Sequence, residues 1–351
     1  MFIILSSFVI YHKILHHYRV DIFNLINSKI GIEIWFINDM SDGKTKNFRT
    51  IKLSSDLIKN LFFFIKKFKT QRINSILIPT QISDINNWFL VILSKIFRIR
   101  IISFGHGWNL NDNKFLPSKK FSHFLKYLIY KISSVNLIYE YAQATVLRHQ
   151  IKNIDFRVFH NTIHIHNLKE LRRNYDFKER YVLYLGSLSK DKNIGNLFSY
   201  YQFLSNHYSD IKLKIVGKGL YNPFLNVSSS RIIYLGAITD QNKLGPIISN
   251  AICVFIPGKI GLVANNSLAF GTPIIGFLPS ETVKHAPEVV HIKNGYTGYL
   301  VDEKEPNDLL RAFDSILINR DNFRKNCIEY FDQNCNSEKM VEIITNSLLG
   351  N

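Results

Sequence analysis

Tyr181-Val182-Leu183-Tyr184-Leu185-Gly186-Ser187-Leu188-Ser189-Lys190-Asp191-Lys192-Asn193 is the stretch on which the fold turns. Five apolar and aromatic residues in a row suit a buried strand. A glycine directly after them lets the backbone turn sharply and approach a ligand. The lysines beyond, entering a helical pattern, put positive charge near the carboxyl end of a sheet, which is where doubly wound sheets bind ligands. An ordinary strand-to-helix turn with solvated lysines fits the same residues, since short glycine motifs are unspecific.

The pattern repeats on both sides. Upstream, apolar runs at Phe2–Ser6, Ile32–Ile37, Ser75–Pro79, Arg100–Phe104, Val135–Tyr139 and Phe156–His160 read as strands. Helical patterns such as Leu57–Lys67 and Trp88–Phe97 lie between them. Downstream, Ile211–Val216, Arg231–Leu235, Ala251–Ile256 and Pro273–Phe277 continue the series, and Asn307–Leu349 reads as two or three helices. Strands alternating with helices predict parallel sheets. The polar stretch from Asn161 to about Phe177 separates two α/β halves of similar size. The expected fold is therefore α/β, with two Rossmann-like doubly wound domains facing a cleft. The first spans residues 1–165 and the second 175–330, and a C-terminal helix in 331–351 packs back on the first.

Bulk properties narrow the class. The chain has 351 residues, 46% of them hydrophobic, enough for two cores and far from a disordered composition. The net charge of +17 is lopsided: residues 1–170 hold 24 Lys/Arg against 10 Asp/Glu, a balance of +14. Such an excess points to an anionic partner. Nucleic acid is one candidate, but no recognised RNA- or DNA-binding motif is present. An anionic membrane surface is the other, because basic and aromatic residues interleave in Phe62-Phe63-Phe64-Ile65-Lys66-Lys67-Phe68-Lys69 and in Lys119-Lys120-Phe121 through Lys131. A solvated face over a buried one is the plainer reading of both. Three scattered cysteines, Cys253, Cys327 and Cys335, argue against a disulfide framework or a zinc site and suit a reducing compartment. The opening apolar run, about ten residues long, reads as a first strand and is too short to span a bilayer. A cytoplasmic protein, peripheral at the inner membrane face, is the expectation.

Two further stretches carry chemistry. In Ile256-Pro257-Gly258-Lys259-Ile260-Gly261-Leu262 a strand ends, a glycine-bearing loop turns and a short helix begins, whose free N–H groups form an anion site. Gly271-Thr272-Pro273 closes that helix. Ala286-Pro287-Glu288 and Asn294-Gly295-Tyr296-Thr297-Gly298-Tyr299-Leu300-Val301 follow.

Taken in order, these pieces resemble the donor domain of the retaining GT-B glycosyltransferases of family 4, or group 1. The matching residues are Gly186 to Lys192, Ile215-Val216-Gly217-Lys218-Gly219, Tyr234-Leu235-Gly236, Gly261-Leu262, Gly271-Thr272-Pro273-Ile274-Ile275 and Asn294-Gly295 with Gly298-Tyr299-Leu300-Val301. The resemblance covers residues 178–320. Before that, His17-Tyr18-Arg19-Val20-Asp21-Ile22-Phe23 is similar to the opening of some members, and Val158-Phe159-His160-Asn161-Thr162-Ile163 to the close of their first domain. The departures are informative. The family's two glutamates, eight residues apart, fall on Gly258 and Asn266, and its phosphate-contacting arginine falls on Ser187. Pro257-Gly258 with Gly261-Leu262, Ser267-Leu268-Ala269-Phe270-Gly271-Thr272-Pro273 and Pro287-Glu288 instead resemble a surface-polysaccharide subset.

The resemblance implies transfer of a sugar from a nucleotide-diphosphate sugar, with retention, to a glycan or lipid-linked acceptor in cell-surface polysaccharide synthesis. A non-catalytic nucleotide-sugar-binding or scaffold protein of the same fold is the alternative. It implies Lys192, the Ser187 hydroxyl and the N–H groups at Gly261-Leu262 as partners of the departing diphosphate, and Glu288 as an acidic group near the donor. Asn266 would hold the ribose, and Gly186, Gly217, Leu235, Ala237 and Gly258 would line the same site. His106, at a strand's carboxyl end between Gly105 and Gly107, is the candidate for contact with the sugar, although a turn histidine is equally often structural. Arg19 and His106 are the residues expected on the acceptor side. No D-x-D occurs in the chain, so no metal or other cofactor is expected, and lysine with helix dipole would stand in for a cation.

Overall fold

The computed structural model of the chain describes residues 8–107, 121–173, 177, 179–219 and 230–351. The chain divides into two compact units, residues 1–164 with 337–351 and residues 165–336.

The first unit contains β1 (Phe8–Tyr11), β2 (Ile14–His16), β3 (Glu33–Phe36), β4 (Asn38–Met40), β5 (Arg49–Lys52), β6 (Ser75–Pro79), β7 (Arg100–Gly105), β8 (Val135–Ile138) and β9 (Phe156–Val158). Seven of these form one sheet in the order β5-β3-β1-β6-β7-β8-β9, every pairing parallel, while β2 and β4 pair separately. The strands alternate, as the period of two requires. Ile10, Ile34, Leu77 and Ile102 point to one face, where Val20, Phe23 and Ile26 of helix His17–Ile30 meet them. Val9, Tyr11, Trp35, Ile76 and Ile101 point to the other, under Phe64 and Phe68 of helix Leu57–Thr70 and Leu90 and Val91 of helix Ile85–Ile96. Asp56 and Asp84 start those two helices, each accepting from backbone N–H groups of the first turn. The expected strand Phe2–Ser6 lies outside the described residues, and β1 begins at Phe8.

Helix Ser337–Leu349 belongs to this unit. It buries Met340, Val341, Ile344 and Leu348 in the same core as helix His17–Ile30. Three polar contacts pin it: the Ser75 hydroxyl donates to the Leu348 carbonyl at 2.8 Å, Arg100 to the Ser347 carbonyl at 2.7 Å, and His164 Nδ1 lies 2.8 Å from the Ser337 hydroxyl.

The second unit holds β10 (Tyr181–Leu185), β11 (Lys212–Val216), β12 (Ile232–Tyr234), β13 (Cys253–Ile256), β14 (Ile274–Phe277) and β15 (Gly298–Val301), in the parallel order β12-β11-β10-β13-β14-β15. The fold is thus α/β with two Rossmann-like parallel sheets. The chain runs outward from β10 through β11 to β12, then returns to β13 on the other side of β10 and runs outward again. The reversal makes a crevice at the carboxyl ends of β10 and β13, the position at which open α/β sheets take their ligands. Residues Gly186 to Lys192 and Pro257 to Leu262 are the two segments that leave those strand ends.

Removing buried methylenes from the returning helix tests the division into units. Ile344→Ala should destabilise the first unit by about 2–4 kcal/mol. Hydrogen exchange should show protection falling in β1 and β6 while β10 and β13 hold. An equal loss in both sheets would contradict this division.

Candidate functional site

The site is built where the two segments at the β10/β13 crevice meet. After β10 the chain turns at Gly186, and the Tyr184 hydroxyl donates back to the Ser187 carbonyl at 2.7 Å, holding the turn against its own strand. Leu188 N–H donates to the Lys218 carbonyl and Gly186 N–H to the Val216 carbonyl, both at 3.0 Å, so the turn after β11 supports the turn after β10. Gly217 and Gly219 permit this stacking. A Cβ on Gly217 would sit 1.8 Å from the Gly186 carbonyl oxygen, and one on Gly219 would sit 2.0 Å from that of Leu188. A short 3-10 turn, Lys190–Lys192, then leads through Asn193, at φ 52°, into helix Ile194–His207.

The second segment crosses directly against that turn. A Cβ at Gly258 would lie 2.3 Å from the Lys192 carbonyl carbon and 2.6 Å from the Asp191 carbonyl oxygen. Two bonds complete the contact: Lys259 N–H donates to the Asp191 carbonyl at 2.8 Å, and the Asn193 side-chain Nδ2 donates to the Pro257 carbonyl at 3.3 Å. No side chain fits at position 258 without displacing that backbone. Beyond it, Gly261 and Leu262 open helix Val263–Ala269.

Lys192 connects the pieces. Its Cε lies 3.9 Å from where a Cβ on Gly186 would be, and its ammonium donates to the Lys259 carbonyl. Burial pushes its pKa below the ordinary lysine value. The Asp191 carboxylate counters this, Lys259 adds to it, and Glu288 counters it again. Glu288 is 3% exposed in the 3-10 turn Pro287–His291, its Oε2 3.9 Å from the Cβ position of Gly261. The structure thus brings together Gly186, Lys192, Gly258, Gly261 and Glu288. Ser187 is on the same turn but exposed, its hydroxyl 3.0 Å from that of Ser189. Asn266 sits on helix Val263–Ala269, its Nδ2 3.5 Å from the Leu262 carbonyl. Leu235 and Ala237 are exposed beyond β12, around Gly236 at φ 70°. Gly217 is interior to the stacked turns and touches backbone.

Residue-type reasoning passed over His285. Its ring lies between the Ile260 amide and the Phe277 carbonyl, at 3.1 and 2.9 Å. A lone histidine in a polar loop carries no motif signal, so only the fold reveals it.

The two first-unit candidates differ in character. His106 is exposed directly after β7, its ring 4.7 Å from that of Tyr139. Arg19, expected on the acceptor side, is 4% exposed: its guanidinium donates to the Tyr139 hydroxyl at 3.0 Å and points Nη1 at the Met340 sulfur at 3.6 Å. It ties helix His17–Ile30 to helix Ser337–Leu349. Burial, with Arg19 next in importance, pushes His12 down to about 3, so that ring is neutral. Lys126 is likewise drawn inward, donating to the Gly107 carbonyl at 2.9 Å, while Lys119 and Lys120 lie outside the described residues.

Comparison with known proteins follows this division. Residues 169–333 match the family model of glycosyl transferases group 1. The group 1 match begins in helix Leu168–Leu171 and ends in helix Arg320–Asn334, so it covers almost all of the second unit and none of the first. An uncharacterized 41.2 kDa protein in the cps region of Klebsiella pneumoniae is 25% identical over 212 residues, 57% of this chain and 55% of that protein. The chain thus aligns with about half the length of that relative. Among solved structures, HepE of Anabaena in complex with UDP superposes with a TM-score of 0.69 at 12% identity, over 98% of this chain and 100% of HepE. UDP-GlcNAc 2-epimerase from Methanocaldococcus jannaschii gives 0.62 at 15% identity, over 96% and 98%. The pneumococcal O-GlcNAc transferase GtfA, with UDP and GlcNAc, gives 0.59 at 14%, over 82% and 60%. At these identities the likeness is one of fold, two Rossmann-like domains of the GT-B kind, and function is argued from the site.

The contrast between two glycines tests the geometry. Gly258→Ala should cost about 1–3 kcal/mol, because its methyl meets backbone that cannot yield. Gly261→Ala, whose methyl would meet only Ala286 Cβ at 3.6 Å and Glu288 Oε2 at 3.9 Å, should be near neutral in stability. Urea midpoints of the two variants decide it; equal losses would mean that the two loops do not touch as described.

Proposed function

We propose that the chain is a glycosyltransferase that moves a sugar from a nucleotide-diphosphate donor to a glycan or lipid-linked acceptor of a cell-surface polysaccharide, with retention at the anomeric carbon. The observation that carries the reading is Lys192, held between the turn after β10 and the loop after β13, beside the buried Glu288. A half-buried ammonium gains from an anion more than a solvated one, because its field is less screened. Departure of a nucleoside diphosphate builds negative charge on the leaving oxygens. Lys192, the Ser187 hydroxyl and the N–H groups at Gly261-Leu262 would stabilise that charge electrostatically. In this reading the lysine takes the part that a divalent cation plays in other transferases. Glu288, in the same reading, lies near the donor sugar, Asn266 holds the ribose, and Leu235 and Ala237 line the donor site. The group 1 match supports the class, the UDP complexes of HepE and GtfA support a nucleotide-sugar donor, and the relative from a cps region supports a polysaccharide product.

A lipid-linked acceptor would be met at a membrane surface on the cytoplasmic side. No helix among the described residues is long and apolar enough to cross a membrane. Helices Leu57–Thr70 and Ile85–Ile96 pack side by side, joined by an Asn60–Asn86 hydrogen bond of 2.9 Å, and turn apolar residues outward: Ile58 and Phe62 are each 66% exposed, Ile92 55% and Ile96 66%. Exposed Lys59, Lys66, Lys69 and Lys95 flank them. Apolar side chains among cations fit an anionic bilayer, each cation near such a surface contributing about 1 kcal/mol.

Two measurements test these assignments. Thermal shifts with UDP- and GDP-sugars should show a stabilised protein, by about 2.7 kcal/mol at a hundredfold excess over Kd. Lys192→Ala should remove that shift, and release of free nucleoside diphosphate should separate a transferase from a mere binder. A variant that responds as fully as the parent would refute the phosphate role of Lys192. For the surface, flotation with phosphatidylglycerol vesicles should retain the protein, phosphatidylcholine vesicles should not, and a Phe62→Asp, Ile92→Asp double variant should lose retention. Undiminished retention of that variant would move the contact elsewhere.

A further inference from the structure

His285 makes two hydrogen bonds, both to main chain. Its Nε2 is 2.9 Å from the Phe277 carbonyl oxygen at the end of β14, and its Nδ1 is 3.1 Å from the Ile260 nitrogen. A carbonyl only accepts and an amide N–H only donates. Both contacts therefore exist together in one state alone, a neutral imidazole with its proton on Nε2 and its lone pair on Nδ1. The next residue completes the clasp, for Ala286 N–H donates to the Ile260 carbonyl at 2.8 Å. Both backbone groups of Ile260 are thus held by residues 285 and 286. The Ile260 side chain is fully buried, its Cδ1 2.5 Å from where a Cβ on Gly276 would stand. Ile260 is the middle residue of Gly258-Lys259-Ile260-Gly261-Leu262, and Glu288 follows three residues after His285.

We propose that His285 is the positioning residue of the donor-phosphate loop: its neutral ring fixes Gly258 to Leu262 against the end of β14, and protonation of that ring releases the loop. The role assigned to the loop rests on the nucleotide-sugar reading above. A proton on Nδ1 would turn its lone pair into a second donor facing the Ile260 N–H, and the clasp would open. The charged groups on the surrounding segments are Lys190, Asp191 and Lys192 from the turn after β10, Lys259 from the loop after β13, and Glu281, Lys284 and Glu288 from its own segment, while β14 itself carries none. Burial holds the imidazole below its ordinary value; the bond to the Phe277 carbonyl opposes this, and the positive Lys192 adds to it. A histidine whose folded value is depressed contributes stability in full above its unfolded value, near 6.5, and loses it as pH falls below that. The clasp is accordingly closed at neutral pH and opens on acidification.

Three readings of the wild type and of His285→Asn test this. Asparagine offers an oxygen to the Ile260 N–H and does not titrate. Affinity for UDP-glucose, and in parallel GDP-mannose, should fall in the wild type between about pH 7.5 and about pH 5.5, by no more than about tenfold, because a released imidazole with an ordinary value near 6.5 can shift the loop equilibrium only that far over this range. The variant should bind more weakly at neutral pH and show no such fall. Without any nucleotide, hydrogen exchange over Gly258–Leu262, corrected for intrinsic rates and referred to β13, should show acid-triggered loss of protection in the wild type alone. Imidazole nitrogen chemical shifts of the wild type should place the proton on Nε2 at neutral pH, a result independent of how the variant folds. An acid-insensitive loop, or a proton on Nδ1, overturns the proposal. If the loop releases on acidification but neither nucleotide sugar binds, the clasp stands and the donor reading fails. If nucleotide sugars bind while the loop stays closed at acid pH, the donor reading stands and the clasp fails.

Discussion

Two chain reversals, one after Leu185 and one after Ile256, touch backbone to backbone at the point where the second sheet changes direction. The main chain of Gly258 rests on that of Asp191 and Lys192 with no room for a methyl group between them. Everything proposed for the site depends on this contact. It places the Lys192 ammonium within reach of the Lys259 carbonyl, and so fixes where its charge is presented. It also sets the start of helix Val263–Ala269, behind which Glu288 is buried. A side chain at position 258 would occupy the seam that makes the site. No side chain could stand at 258 in this packing, and Glu288 is a buried carboxylate beside the lysine.

Most of the second unit was legible in the residues. Tyr181–Leu185 is the strand expected, and four of the other five strands of that sheet begin within two residues of the expected starts. Buried parallel strands are continuous apolar runs, and glycine marks where they stop. The first unit was read less fully, for a physical reason. Its edge strand β5 is Arg-Thr-Ile-Lys, mostly exposed and without a burial pattern, and β2 and β4 are three-residue strands in a sheet of their own. Such elements are set by pairing partners and leave little trace in local composition.

Site residues show the same boundary. Lys192 and Glu288 could be nominated from motifs, and the fold brings them together. Arg19 could be nominated too, but a guanidinium is equally able to act as an internal tie, and its sequence neighbours cannot distinguish the two uses. The tie runs to Met340, 321 residues away. His285 is the converse case. Its importance lies wholly in two backbone groups at positions 260 and 277, and no property of the sequence around it announces them.

The placement of helix Ser337–Leu349 has a consequence for how the chain is made. The core of the first unit includes side chains from residues 340 to 348, whereas the second unit is continuous from 165 to 336. During synthesis from the N-terminus, the later unit has all of its residues before the earlier one does. The core of the first unit lacks Met340, Val341, Ile344 and Leu348 until the whole second unit has been made. Domains that are complete fold as units while translation continues. The second unit is therefore complete in sequence before the first, the reverse of the order in which the two begin.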